Sequence, residues 1–448
     1  MARIVFIGAG SVVFTRNLVK DVLSYPALDD SEIVLMDINA GRLAKIEKLV
    51  ARLAGQQGSR VTVRATGDRR EALRGAHYVV FTVQVGGVEL WGQDIDIPAR
   101  YGVSQCVGDT LGPGGVFRGL RHLAVLDDVL RDMAEVCPSA TLLQYSNPMS
   151  ILTWRAAQSS IRTVGLCHSV QGTAAMLAEW CGVPESELVY WAAGINHQAW
   201  FLTLRQNEED LYPRLRQLVL EPNLRANEPV RIELFERFGY FVTESSGHAS
   251  EYYPYFRKDA SMVERLVERF KEAEPGVHEW LGYGATGGCP ADARQREREY
   301  ERIVQRQISG QEPIEVDRSS EYGVQIINAL ETGEQVQVNA NVPNDGLVTN
   351  LPPGSCVEVP CLVGRHGIHP CHVGPLPPQV AALNRASISL QELTLLAHKE
   401  ADPERVFQAL AMDPLTATCC TLDQIWALGK EMLEANEGAL PQFAKVLH

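Results

Sequence analysis

At 448 residues, with 45% hydrophobic and 21% charged side chains, the chain is long enough for two or three domains and has an ordinary soluble, globular composition. Its net charge of −14 argues against nucleic acid or an anionic membrane as the main partner, while a local anion pocket remains compatible with it. Ten cysteines are scattered without a CxxC pair, no signal-like segment precedes the first strand, and no apolar run nears the roughly 18 residues of a membrane span, so a cytoplasmic protein with reduced thiols is expected.

Residues 3–7 predict a strand, with Ile4-Val-Phe-Ile7 forming an apolar run of the kind buried in a parallel sheet. Gly8-Ala-Gly10-Ser11 follows and leads into a helix over about 13–24. Gly8 suits a tight turn, and Gly10 and Ser11 bring the backbone to a pyrophosphate at the helix N-terminus. Val13 replaces the third glycine of G-x-G-x-x-G, so the turn alone is weak evidence for a dinucleotide. The next strand, 32–37, strengthens it by ending in Asp37, where an acid would hold a ribose hydroxyl pair, as with NAD. Asp37 could also cap the helix beginning near Ala40.

A helix over 42–55, a strand over 60–66, a short helix over 69–73 and a strand over 78–84 continue the alternation. Gln84 then falls at a strand C-terminus, where open α/β sheets place their ligands. Residues 92–118, with Gly108-Asp-Thr-Leu-Gly-Pro-Gly-Gly115, lack periodicity and read as a substrate loop or lid. A helix over 116–137 precedes a strand over 140–145, which ends in Ser146-Asn-Pro-Met149, either a turn or a substrate contact. A further apolar run stops at Cys167-His168 and turns through Ser169 and Gly172 into a helix, and a strand over 189–195 ends in Asn196-His197.

Such alternation is the signature of a doubly wound parallel sheet. It predicts a nucleotide-binding α/β domain over 1–198 and a mixed α/β domain over 199–448. In the second part 201–220, 229–238 and 261–270 read as helices, 271–290 as irregular and 291–307 as a charged, solvated helix. Strands are expected over 335–341 and 355–362, and helix from Leu376 almost to the end.

Two constellations carry chemistry. A buried cysteine is usually a small hydrophobe, but Cys167 at one strand end and His197 at a neighbouring one favour a metal site. Two protein ligands leave positions open for substrate, and the donor types admit manganese, zinc, iron, cobalt or nickel. The stretch Phe241-Val-Thr-Glu-Ser-Ser-Gly-His-Ala-Ser-Glu-Tyr-Tyr-Pro-Tyr255 is either an aromatic corner of the core or a place where a sugar is held and a proton moved.

Together these residues resemble the family-4 glycoside hydrolases, NAD- and metal-dependent glycosidases. The likeness covers essentially the whole chain. It runs through Phe6-Ile-Gly-Ala-Gly-Ser11, Asp109-Thr-Leu-Gly-Pro-Gly-Gly115, Asn147-Pro-Met149, Cys167-His-Ser-Val170 and Gly194-Ile-Asn-His197. It continues through Gly239-Tyr-Phe-Val-Thr-Glu-Ser-Ser246, Asn344-Asp-Gly-Leu347 and Val357-Glu-Val-Pro-Cys-Leu362. Within the family, Cys-His-Ser-Val resembles the α-galactosidase branch, whereas glucuronidases carry Cys-His-Gly and phosphoglycosidases Cys-Asp-Met-Pro or Cys-Asn-Val-Pro.

The resemblance implies a Rossmann-type domain, as in lactate and malate dehydrogenases, interlocked with a larger α/β lobe in a homodimer or homotetramer. It implies hydrolysis without net oxidation. NAD⁺ takes hydride from C3 of the sugar, a base removes the acidified C2 proton beside a divalent ion such as Mn²⁺, the leaving group departs, water adds and the hydride returns. By the same likeness Cys167 and His197 are metal ligands, and Asn147 and Asn196 sugar contacts. His168 holds the position of the acid and Tyr252 that of the base, with Tyr253 and Glu251 as alternatives. The rival readings are a related glucosidase or uronidase, a net NAD-dependent dehydrogenase and a non-catalytic NAD sensor.

Overall fold

The computed structural model describes residues 1–278, 282–315 and 317–446. Six strands form its first half: β1 (Arg3–Ile7), β2 (Glu32–Met36), β3 (Thr62–Thr66), β4 (Tyr78–Phe81), β5 (Thr141–Gln144) and β6 (Arg162–Gly165). They pair in parallel in the order β3-β2-β1-β4-β5-β6. That is a Rossmann sheet, whose order reverses between β1 and β4 and so opens a ligand crevice beyond their C-termini. β4 and β5 are buried throughout, because helices cover both sheet faces.

The same sheet continues in β7 (Leu188–Ile195), β8 (Gln198–Gln206), β9 (Glu209–Asp210), β10 (Phe241–Val242), β11 (Val336–Pro343), β12 (Cys356–Gly364) and β13 (Gly367–Pro370). These strands pair antiparallel, in the order β10-β8-β7-β12-β11 and then β6. The splice is narrow. Among the described residues, Asn341↔Gly165 alone registers β11 on β6, and Glu358↔Gly194 alone registers β12 on β7. Cys167 and His197 therefore follow strands that are not neighbours, since the β11–β12 hairpin stands between them.

The stretch 201–220 is not one helix. Its first part belongs to β8, which doubles back on β7, and only Tyr212–Leu218 is helical. Residues 92–118 form no long lid either. The helix Gly87–Ala99 begins at Gly86, whose φ of 83° suits glycine, and the helix Gly112–Val136 starts four residues earlier than expected, with Pro113 in its first turn. Residues that look like loop formers are here helix starters, and 100–111 is all that joins the two helices. Lys271–Pro290, expected irregular, lies partly outside the described residues, and from Gly288 it is already helix Gly288–Ser309. Among the described residues no helix is long and apolar enough to cross a membrane.

Candidate active site

The dinucleotide-type turn forms as its sequence requires. Gly8 leaves β1 at φ 88°, with its α-carbon so near β4 that a Cβ would stand 2.9 Å from the Thr82 carbonyl. The Gly10 amide donates to Asp37 Oδ2 at 2.8 Å, and a Cβ on Gly10 would lie 2.6 Å from that oxygen. Asn39 donates its amide to the other oxygen of Asp37, and it is Asn39 that caps the helix Ala40–Gln57. The capping alternative for Asp37 is thereby removed, and the carboxylate sits over the glycine turn. Ser11 opens the helix Val12–Ser24 without a side-chain cap bond. Gln84 lies exposed three residues past β4, which ends at Phe81 and not at Gln84.

Beyond β6 and β7 the chain gathers three donors. Cys167 Sγ lies 3.3 Å from His197 Nε2, and Glu244 Oε2 lies 3.4 Å from the same nitrogen. All three donor atoms fall within 4.8 Å of one another, a spacing that fits one ion. A thiolate, an imidazole and a carboxylate together suit a borderline divalent cation and leave coordination positions open. Two of the three are held in the left-handed region, His197 at φ 63° and Glu244 at φ 75°. For residues other than glycine that geometry costs energy and is characteristic of functional sites. Burial pushes the Cys167 thiol up to about 11.

The second nitrogen of His197 is also engaged. Nδ1 lies 3.0 Å from the Tyr252 hydroxyl and 3.2 Å from the Thr110 hydroxyl. Tyr252 comes from the helix Ser246–Tyr252, which also carries His248. The His248 ring sits between two carboxylates, with Nε2 3.3 Å from Asp109 Oδ1 and Nδ1 3.4 Å from Glu244 Oε1. Burial works against charge on all three, but the two carboxylates raise His248 well above its usual range, and His248 helps to hold both of them far below theirs. Burial and the charges of Glu244, Asp109 and Glu251 push Tyr252 well above its usual value, so only a nearby cation can make its phenolate accessible. Asn147 Nδ2 donates to Asp109 Oδ2 at 2.8 Å and completes the network.

The remaining candidates separate clearly. His168 stands at the start of the helix Ser169–Cys181 with its ring 60% exposed, and its Nδ1 lies 3.4 Å from Glu321 Oε1. Asn196 is buried with its amide near Glu358, a carboxylate that burial raises to about 7. Tyr253 points into the core, edge-on to Trp200. Glu251 accepts the amides of Cys106, Val107 and Gly108, so it shapes the 105–108 loop. The aromatic stretch is thus both things at once, core through Tyr253 and site through His248 and Tyr252. Sequence reasoning reached Glu244 and His248 only as members of the 241–255 stretch and Asp109 only within the 92–118 loop, and it gave no role to Glu358. Their local pattern carries no periodic signal, and only tertiary folding brings them to Cys167 and His197.

A Rossmann sheet whose carboxyl edge carries both a glycine turn with its acid and a three-donor metal cluster defines an enzyme class that combines a dinucleotide with an ion. Comparison narrows this. Residues 3–183 match the model of the family 4 glycosyl hydrolases, and 192–416 that of the family 4 glycosyl hydrolase C-terminal domain. An α-galactosidase of Rhizobium meliloti (strain 1021) is 37% identical over 99% of this chain and 90% of its own length. One of Bacillus subtilis (strain 168) is 37% identical over 99% and 100%. A 6-phospho-α-glucosidase from gut microorganisms, solved with NAD and Mn²⁺, shares the fold with a TM-score of 0.81 at 19% identity, covering 98% of each chain. The chain belongs to glycosyl hydrolase family 4.

Proposed function

We propose that the protein is an α-galactosidase acting on non-phosphorylated α-galactosides with NAD and a divalent ion such as Mn²⁺. The observation that carries this reading is 37% identity, over nearly the full chain, to two α-galactosidases. The site supports it, because a glycine turn and a Cys–His–Glu cluster occupy one sheet edge.

Gly8, Gly10, Ser11, Asp37 and Gln84 would hold the dinucleotide, and Cys167, His197 and Glu244 the ion. When bound, they supply reversible hydride acceptance at sugar C3 and Lewis-acid support for the neighbouring oxygens. The chain's own groups move the protons. Tyr252, held by His197 Nδ1, takes the C2 proton. His168 gives a proton to the leaving oxygen. Asn147 and Asn196 orient the sugar, Asn147 through Asp109 and Asn196 through the turn that sets His197. The cofactor half, 1–198, thus contributes Cys167, His168 and His197, and the second half, 199–448, contributes Glu244 and Tyr252. Ten free cysteines support a cytoplasmic setting, and family resemblance supports a homodimer or homotetramer.

A panel of aryl α- and β-glycosides and uronides, with and without NAD⁺, Mn²⁺ and a thiol reductant, tests the reading. The α-galactoside is expected to be cleaved only in the full mixture, with no net NADH. One NADH accumulated per substrate consumed would instead identify a dehydrogenase.

A further inference from the structure

The His168 ring is largely exposed, yet one edge of it is fixed. Its Nδ1 faces Glu321, whose side chain is only 12% exposed, at 3.4 Å. Glu321 arrives from more than 150 residues away and stands at the N-terminus of the helix Tyr322–Thr332. The segment that delivers it is tied on both sides. The Ser319 amide and hydroxyl both donate to Asp21, a buried carboxylate on the helix Val12–Ser24 that follows the glycine turn. Gln171, in the first turn of the helix that starts after His168, donates to the Ser320 carbonyl at 2.9 Å. The Glu321 amide donates to Ser319 Oγ, and the Gly323 amide to the Tyr145 hydroxyl. A flexible surface carboxylate would need none of these ties.

We propose that Glu321 is the positioning residue that makes His168 the proton donor to the departing oxygen, acting as a built carboxylate–imidazole pair. This rests on the α-galactosidase reading. With Nδ1 at 3.4 Å from Glu321 Oε1, the carboxylate favours the proton on that nitrogen and leaves Nε2–H on the other edge of a largely exposed ring. Once C2 has lost its proton, the electron pair left there forms a C1–C2 double bond while the C1–O bond breaks onto oxygen. The Nε2 proton passes to that oxygen and the ring is left neutral, still donating from Nδ1 to Glu321.

The test compares Glu321→Gln, Glu321→Asp and wild type, each supplied with NAD⁺ and Mn²⁺, on methyl α-galactoside and 4-nitrophenyl α-galactoside in D₂O. Methoxide leaves poorly without a proton, and nitrophenolate leaves without one. In Glu321→Gln, hydrolysis of the methyl galactoside is expected to fall about 10²-fold, in line with general-acid assistance. The nitrophenyl substrate should change little, and Glu321→Asp should recover part of the loss. Deuterium should still enter C2 of unreacted methyl galactoside, because deprotonation precedes departure. Equal losses on both substrates with C2 exchange lost in parallel would mean that Glu321 only supports the fold, and no loss on either would mean that it does not act; both overturn the proposal. A wild-type enzyme that cleaves neither galactoside would overturn the underlying reading instead, an outcome distinct from any behaviour of the variants.

Discussion

Cys167 is buried enough for its thiol to stay protonated at neutral pH, yet it faces His197 and Glu244 at bonding range for a shared ion. Binding a cation there means displacing that proton. Cys167→Ser should therefore lose measurable Mn²⁺ binding in calorimetry, while NAD binding and the far-ultraviolet spectrum stay near wild type, since the residue sits past a strand end and not in mid-core. Wild-type metal affinity in this variant would remove Cys167 from the ligand set. Tyr252→Phe keeps the ring packed and removes the oxygen next to His197 Nδ1. Its turnover should drop by about 10²–10⁴-fold on alkyl and aryl galactosides alike, with solvent exchange at C2 lost, because proton removal comes before leaving-group departure. A variant that still exchanges C2 at the wild-type rate would show that another group is the base. At this scale the sequence was partly legible. A thiol and an imidazole at two strand ends announce themselves, whereas Glu244 reaches the cluster from the short edge strand β10 through a φ 75° turn that no local pattern predicts.

The parallel strands were readable because a strand buried on both faces is a near-continuous apolar run, as β4 is throughout, β1 and β2 are after their first residue, and β5 is at Leu142-Leu143. β8 was not. Trp200-Phe-Leu-Thr-Leu204 fits helix or strand alike, and the choice is made by the tight turn at His197, which lays β8 along β7. The β11–β12 hairpin was expected as two strands, but its place between β6 and β7 follows from non-local pairing alone. It also carries Glu358, wholly buried opposite Asn341 at the splice. Burial raises this carboxyl from 4.5 to about 7, with His197 and the two asparagines pulling against it. A raised folded pKa gives a stabilising contribution that is complete below the unfolded value and lost as pH rises through the folded one. Metal-free wild type should thus lose about 3 kcal/mol relative to Glu358→Gln between pH 4.5 and 8. Urea midpoints of the two proteins at several pH values measure it, and parallel curves would mean that Glu358 does not titrate in this range.

At the scale of the molecule, one sheet of thirteen strands among the described residues joins the two halves, and the C-terminal helices close back on the first half. The closure has a polar centre. Arg121, on the helix Gly112–Val136, grips Asp94 of the helix Gly87–Ala99 with Nη1 and Nη2, at 2.8 and 2.5 Å. The same group donates at 2.7 Å to Asn436, which follows the helix Leu422–Ala435. Arg121 and Asp94 are at most 1% exposed, so a charge left without its partner has no water to turn to. Asp94→Leu alone should cost about 3–5 kcal/mol, because it strands the guanidinium. Joining it to Arg121→Met should recover much of that loss, since the pair's desolvation disappears with it. The helix that bears Asp94 starts just after Gln84, so the single variant should also loosen the cofactor edge and weaken NAD binding, and the double variant should restore it. Denaturant midpoints and NAD titration of the wild type, both single variants and the double variant decide the matter. If the double variant is as unstable as the two single losses added together, the triad acts through packing and not through charge.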